Sequence, residues 1–453
     1  MWSPRGGGTA PVQGGQAVAA PPGQPNPVPA VQVPSALSLL NTNPLTAALR
    51  ENTSSLDAPL DTEAFTYSTT DTYTQDLKNA ALAYGVDAWI TGTTSVSLAA
   101  SSTAGLNGGG IALSPKFPWN LLQNVQFGIN QIADVINASG WMLFQENQAM
   151  LLPGLDPRQQ KAQFPTTPGP GGGPAAMYTL PYYVSAKVHG GSGITLDVGG
   201  SAYYNTTTAA QQIDITWAFP LLVPFVNNFD EFLGIVPSAA QDVELSLQYK
   251  LASPLGSDLR SPIVTISGAD ITGNTTLVSH TGSIYGTELF LSSPPAGMEA
   301  VYAVQAGTIC QRFEQSVAVT STGQSGAKYV APQGAYLLRM IGDLTVNMQQ
   351  DTADVQQMRL VLNEFGRPIT LNLQNYLQRF YRKYGRLPDP GIFLWDGTYS
   401  SIVPNWGDSM DWVNAAQTVK PTWELDIATT ATLGGGGKDT FNVFRTQLVT
   451  PQG

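Results

Sequence analysis

Three tryptophans and three aspartates crowd one stretch of the chain, LWDGTYSSIVPNWGDSMDW, from Leu394 to Trp412. Trp395, Trp406 and Trp412 offer flat apolar platforms, and Asp396, Asp408 and Asp411 offer carboxylates. That combination suits glycan binding or, with two carboxylates facing across a sugar, glycoside hydrolysis. The alternative is a loop whose aromatics pack beneath or between subunits, because spacing alone does not set two carboxylates across a substrate. The other reactive types are sparse. His189 and His280 stand far apart in sequence, so they share a metal only if the fold joins them. Cys310, in AGTICQRFEQ, is the single cysteine; no intrachain disulfide or Cys-rich zinc site is open to the chain, and the thiol reads as part of a core. No G-x-S-x-G elbow occurs. GGGGKD, from Gly434 to Asp439, lacks the spacing and the Ser/Thr of a phosphate loop and reads as a flexible linker. The expected sets of catalytic, cofactor-binding and metal-ligating residues are therefore empty, no cofactor is implied, and the chain reads as a non-enzyme.

Composition narrows the classes further. Of 453 residues 42% are hydrophobic, enough for a sizeable core, but only 12% are charged, and the net charge is −11. An acidic chain is a poor nucleic-acid coat, so direct sequence-specific nucleic-acid binding is not expected. A surface of Ser, Thr, Asn and Gln repels partners weakly, which suits a protein that packs against copies of itself as well as it suits an ordinary neutral β protein. Four N-x-Ser/Thr sequons (Asn52, Asn137, Asn205, Asn274) are read as a product of the Asn/Thr-rich composition. No apolar signal core stands at the N-terminus, and the longest apolar run, WAFPLLVPFV from Trp217, is half a membrane span with two prolines.

The elements that must position these residues are strands. In SPKFPWNLLQNVQFGIN (Ser114–Asn130), Leu121, Val125, Phe127 and Ile129 face one way and Asn124, Gln126 and Asn130 the other. Similar alternation recurs from Ile194, Ile213, Val243, Tyr336, Met358, Ile369 and Trp423, with Gly- and Pro-rich turns between, the pattern of a sandwich or barrel. Residues 1 to about 34 are rich in Pro, Gly, Ala and Gln, with Arg5 the one charge, and read as an extended arm. SALSLLNTNPLTAALRE (Ser35–Glu51) reads as a short helix broken near Pro44, and folded structure is expected to begin near Tyr84.

Two segments look like copies. LVPFVNNFDEFLGIVP starts at Leu222 and LQNYLQRFYRKYGRLP at Leu373. Leu222, Val226, Phe229 and Leu233 match Leu373, Leu377, Phe380 and Tyr384 at a helical spacing, and Gly234 and Pro237 match Gly385 and Pro388. The reading is two helices in equivalent places of two tandem domains. They differ in charge: Asp230 and Glu231 on the first, Arg379, Arg382, Lys383 and Arg386 on the second. The basic cluster could meet an acidic patch of a neighbouring subunit or lipid headgroups, or be a solvated helix face. The expected division is arm and lead-in 1–83, first domain 84–252, second domain 253–433 and a tail 434–453.

With these pieces assembled, the chain resembles the double jelly-roll major capsid proteins of tailless icosahedral viruses, the lineage of tectiviruses, corticoviruses and adenoviruses. The residues that carry the resemblance are IALSPKFPWNLLQNVQFGIN, similar to opening strands of a first jelly roll, and GIVPSAAQDVELSLQYKLAS (Gly234–Ser253), similar to its close. The resemblance implies an all-β chain of two tandem antiparallel eight-stranded jelly rolls, with short helices in loops and an extended N-terminal arm. It implies a homotrimer of pseudo-hexagonal outline in a virion shell, with neighbouring capsomers, penton and minor capsid proteins as partners and, in many relatives, a membrane beneath. A glycan-binding or glycan-cleaving β-sandwich, or a virion spike or tail protein, stays open as the alternative.

Overall fold

In the computed structural model the described residues are Leu49, 51–67, 72–78, 81–130, 132–150, 156–159, 182–229, 232–238, 243–258, 260–293, 306–347, 349–350, 352–361, 369–396, 413–414, 421–435 and 437–449. The expected arm, 1–34, lies outside them, as does most of the expected helix at Ser35–Glu51. The first half contributes β1 (Ser55–Pro59), β2 (Glu63–Thr66), β3 (Thr72–Gln75), β4 (Leu82–Leu98), β5 (Gly109–Leu113), β6 (Leu122–Ile129) and β7 (Ile132–Ala138). A helix, α1 (Gly140–Met150), follows, then β8 (Tyr183–Val188), β9 (Gly193–Ile194), β10 (Tyr203–Tyr204), β11 (Gln211–Pro224) and β12 (Leu245–Leu251). β13 (Leu255–Gly256), β14 (Ile263–Ser267) and β15 (Thr276–Leu291) lead to the second half. That half has β16 (Ile309–Ala318), β17 (Gly323–Val330), β18 (Tyr336–Thr345), β19 (Val355–Val361), β20 (Ile369–Asn372), α2 (Leu373–Tyr384), β21 (Ile392–Asp396), β22 (Val413–Asn414), β23 (Thr422–Ile427) and β24 (Thr440–Val449).

The second half is a complete jelly roll. One sheet runs β21-β18-β24-β16 and the other β17-β23-β19-β20, so successive strands cross between two facing layers. The core between them is built by the inward positions of both sheets, among them Trp423, Leu425 and Ile427 on β23 and Phe441 and Val443 on β24. The first half repeats the plan: β4-β11-β8-β9 faces β7-β6-β12-β3. Its core is aromatic, with Trp217 and Phe219 of β11, Phe127 of β6 and Trp119 all fully buried. Each such ring contributes about 1.5–3 kcal/mol on burial. One place differs: β7, directly after β6 in the chain, fills the position that β21 fills in the second roll. Three additions widen the first roll: β15, with β1 and β2 beyond it, extends one sheet past β4, and β10-β5-β14-β13 form a small sheet of their own.

The rolls are not beads on a string. β16 pairs in parallel with β7 through Arg312↔Ile136 and Phe313↔Asn137, making one continuous layer, β21-β18-β24-β16-β7-β6-β12-β3. The same four-strand order therefore occurs twice, head to tail.

Three sequence expectations are corrected here. The Leu222 segment is no helix: Leu222, Val223 and Pro224 end β11, paired with Asp87, Val86 and Gly85. Residues 440–449, read as tail, are β24, an interior strand bonded to both β18 and β16. Folded structure begins well before Tyr84, because β1, β2 and β3 pair with β15 and β12. The other strands named from alternation are present, although from Ile194 only the start is strand. Among the described residues no helix is long and apolar enough to cross a membrane.

Candidate functional site

Between the two rolls runs a buried ionic seam centred on α1. This helix leaves β7 of the first roll, and its residues from Gly140 to Gln148 are buried on every side. Asn147 Nδ2 donates to the Leu222 carbonyl of β11 at 3.0 Å, and Gln145 Nε2 donates to Asp389 Oδ2 of the second roll at 2.7 Å. Between them Glu146, fully buried, meets three residues of the second roll. Arg312 Nε of β16 donates to Glu146 Oε2 at 2.6 Å. Thr446 Oγ1 of β24 and Arg339 Nη1 of β18 donate to Oε1 at 2.6 and 3.3 Å. Arg312 also donates from Nη2 to the Val226 carbonyl (2.7 Å) and from Nη1 to Cys310 Sγ (3.3 Å).

The chain of charges continues outward. Arg339 lies 3.5 Å from Asp396 of β21, which accepts from Lys383 Nζ and Tyr384 Oη of α2, each at 2.9 Å. A second buried pair, Lys116 with Asp343, crosses from the first roll to β18, and Gln350 donates to the same aspartate at 2.7 Å. Glu314 of β16 accepts from the Ser139 amide at 2.7 Å, and burial pushes its carboxyl above the ordinary glutamate range. Desolvating such ions costs nearly what their attraction returns, so the network adds little net stability over an apolar seam; removing one partner, however, strands a buried charge at about 3–5 kcal/mol. The seam thus fixes how one roll sits on the other.

Of these side chains only Asp396, Lys383, Tyr384 and Cys310 were singled out by sequence reasoning; Glu146, Arg312, Arg339, Lys116 and Asp343 were not. The available signal was a charge inside an apolar run: Glu146 in WMLFQENQAM, Arg312 in TICQRFEQ and Arg339 in YLLRMIGDL, in a chain with few charges.

Only some of the residues that were singled out enter the seam. Asp396 is consumed by the seam; Asp408, Asp411, Trp406 and Trp412 lie outside the described residues. Cys310 is a core thiol beside Leu338 and Leu448, and burial pushes its pKa up to about 11. His280 of β15 is buried against Phe65 and Trp217, its Nδ1 2.7 Å from Thr94 Oγ1, and burial lowers its pKa to about 4, so it is neutral at pH 7. His189 stands apart, exposed, with Nδ1 2.8 Å from Asp214 Oδ2. Ser95 donates to the other oxygen of Asp214 at 2.7 Å. Serine, aspartate and histidine therefore meet, but the serine is bonded to the carboxylate and not to the imidazole, so the order of contacts is not that of a Ser-His-Asp triad. Among the described residues no group of three or more His, Cys, Asp or Glu is arranged to hold a metal.

Two described glycines of GGGGKD are held in place rather than free. Asp439 accepts from the amides of Gly434 (3.0 Å), Gly435 (2.9 Å) and Asn347 (2.6 Å), tying the loop to the end of β18. The sequon at Asn205 is buried and internal: its side chain donates to the Ala99 and Ala209 carbonyls and accepts from Thr207.

No known family model and no curated protein matches the sequence. Solved structures do match. The STIV major capsid protein, from the Sulfolobus turreted icosahedral virus, is 12% identical, with 88% of this chain and 97% of that chain covered at a TM-score of 0.51. The Faustovirus major capsid protein (9% identical, 88% and 90% covered, TM-score 0.47) and the PBCV-1 virus capsid (12%, 88% and 94%, 0.45) are similar at lower scores. Taken with the strand order above, the likeness to the STIV protein establishes the fold: the chain is a double jelly roll.

Proposed function

We propose that this chain is a major capsid protein, the repeating wall element of an icosahedral virion shell. The observation that carries the reading is the continuous layer in which the same four-strand order occurs twice and is locked by the Glu146 seam. A block of two like halves held at a fixed angle is what a shell tile requires, because three such blocks present six similar faces to their neighbours. In this reading the protein is a homotrimer of pseudo-hexagonal outline, it resides in the capsid, and it meets neighbouring capsomers and penton and minor capsid proteins. The Pro/Gly-rich arm gains order on a neighbour or on an underlying membrane. The role is structural and not enzymatic.

Electron microscopy of the purified full-length chain tests this. Compact pseudo-hexagonal trimers are expected. Slender fibres would replace the reading with a spike, and a monomer that binds oligosaccharides would replace it with a glycan-binding protein.

A further inference from the structure

The layer that joins the rolls has two ends, and they carry opposite charge. Within the chain β16 meets β7, a contact between the first strand of one four-strand set and the last strand of the other. Among the described residues the matching outer strands, β3 and β21, are the ends of the layer. Around β3, among the described residues from Glu51 to Lys78, there are five carboxylates (Glu51, Asp57, Asp61, Glu63, Asp76), with Asp57 and Glu63 on β1 and β2 of the facing sheet, and one cation, Lys78. Asp61, paired with Lys78 at 3.2 Å, is 91% exposed, and Glu51, Asp57 and Asp76 are exposed as well. Beside β21 lies α2, bound to it through Tyr376 and Lys383. From Leu373 to Leu387 there are four cations and no carboxylate. Lys383 is engaged by Asp396, and Arg386 stacks on Phe380. Arg379 and Arg382 are exposed, and neither makes an ion pair among the described residues. Exposed apolar side chains sit within both fringes: Leu56 at the acidic end, Tyr381 (58%) and Leu387 (60%) at the basic end. Apolar contacts ringed by polar groups are the anatomy of a protein interface.

We propose that the acidic β1–β3 fringe of one copy docks on the basic α2 corner of a second copy, so that the junction between β16 and β7 inside the chain is repeated between chains. The occupant is a second copy because the complementary charge is on the same molecule at the opposite end of the layer. Two different, complementary patches on one chain make a head-to-tail contact, which closes into a ring when the angle allows. An acidic chain also needs such a patch to overcome its own repulsion. The proposal rests on the capsomer reading and adds to it the residues that choose the neighbour.

Two exposed-residue variants of the full chain test it: Arg379→Glu with Arg382→Glu, and Asp61→Lys with Asp76→Lys. Mass photometry and light scattering at low and high salt give the assembly state, and melting curves check that each variant folds. Each variant alone should associate about ten- to a hundredfold more weakly than the wild type, and an equimolar mixture of the two should recover mixed oligomers. High salt should weaken the wild-type association in the same direction. A wild type that forms trimers while both variants still form them equally well overturns this inference and leaves the capsomer reading intact. A wild type that never associates overturns both. Unchanged trimers together with lost sedimentation on phosphatidylserine vesicles in the arginine variant would assign α2 to a membrane surface instead.

Discussion

The segments from Leu222 and from Leu373 share their apolar spacing, a glycine and a proline, yet one is the end of a strand and the other is a helix. In the second, Asn372 caps the helix by accepting from the Asn375 amide at 2.8 Å, and Gly385 ends it at φ 67° with its amide on the Tyr381 carbonyl at 2.8 Å. Tyr376, Phe380 and Tyr384 are buried beneath it. The first has no capping residue before Leu222 and carries Pro224 in the expected first turn; β11 simply runs on beside β4 through Pro224. The chain then loops back: the Asn227 amide donates to the Leu233 carbonyl at 2.9 Å, and Val236 bridges to Ala83. Its aromatics are still used, with Phe225 stacked on Phe127 at 3.9 Å, but by a loop. Spacing at three and four residues is thus permissive; the cap decides. The backbones also differ in their partners. The helix bonds its own carbonyls, whereas the strand end lends that of Leu222 to Asn147 and the loop that of Val226 to Arg312 of the seam.

That contrast can be broken most strongly at the seam. Arg312→Met removes the donor to the Val226 carbonyl and leaves Glu146 with Arg339 as its one cation beside the Thr446 hydroxyl, so the folded chain should lose about 3–5 kcal/mol in urea unfolding. The same change at exposed Arg382 should cost under about 0.5 kcal/mol. Phe225→Ala and Phe380→Ala should each cost about 3–5 kcal/mol, since both rings are buried whatever backbone carries them. Only Phe225→Ala should loosen the Arg312 contact, seen as faster amide exchange in residues 225–236. The two glycines should separate more sharply. Gly234 has φ 98°, and an added Cβ would lie 2.8 Å from Cys310 Cβ and 2.9 Å from the Phe225 carbonyl oxygen. Gly234→Ala should therefore exceed the cost of Gly385→Ala, about 1–2 kcal/mol for a left-handed alanine; equal melting shifts would contradict the loop geometry. The smallest effect is Asn372→Ala, about 1 kcal/mol for a lost cap, confined to α2 and visible as faster exchange at its first turn.

The sequence by itself determined the all-β class and most alternating strands, because β6, β12 and β19 each bury one face, and β11 and β23 keep polar residues on a second, largely buried face, so the period of two survives in the residues. It also determined α2, whose single buried stripe, cap and terminal glycine are all local. The elements it hid are those touched from both sides. β24 packs Phe441 and Val443 into the second core and Phe444, Thr446 and Leu448 into the seam, so apolar and polar residues no longer alternate. α1 is buried all round and has no stripe to read. The repeat was real but misplaced: it lies in strand order, a non-local property that similar helical spacings only mimicked. Glu146, Arg312, Arg339 and Asp396 are 166, 193 and 12 residues from the partners they bond, Glu146 to Arg312, Glu146 to Arg339, and Asp396 to Tyr384. Only tertiary structure brings such charges together, because each is tolerable in the interior solely when the others arrive, and no local preference of the chain encodes that arrival.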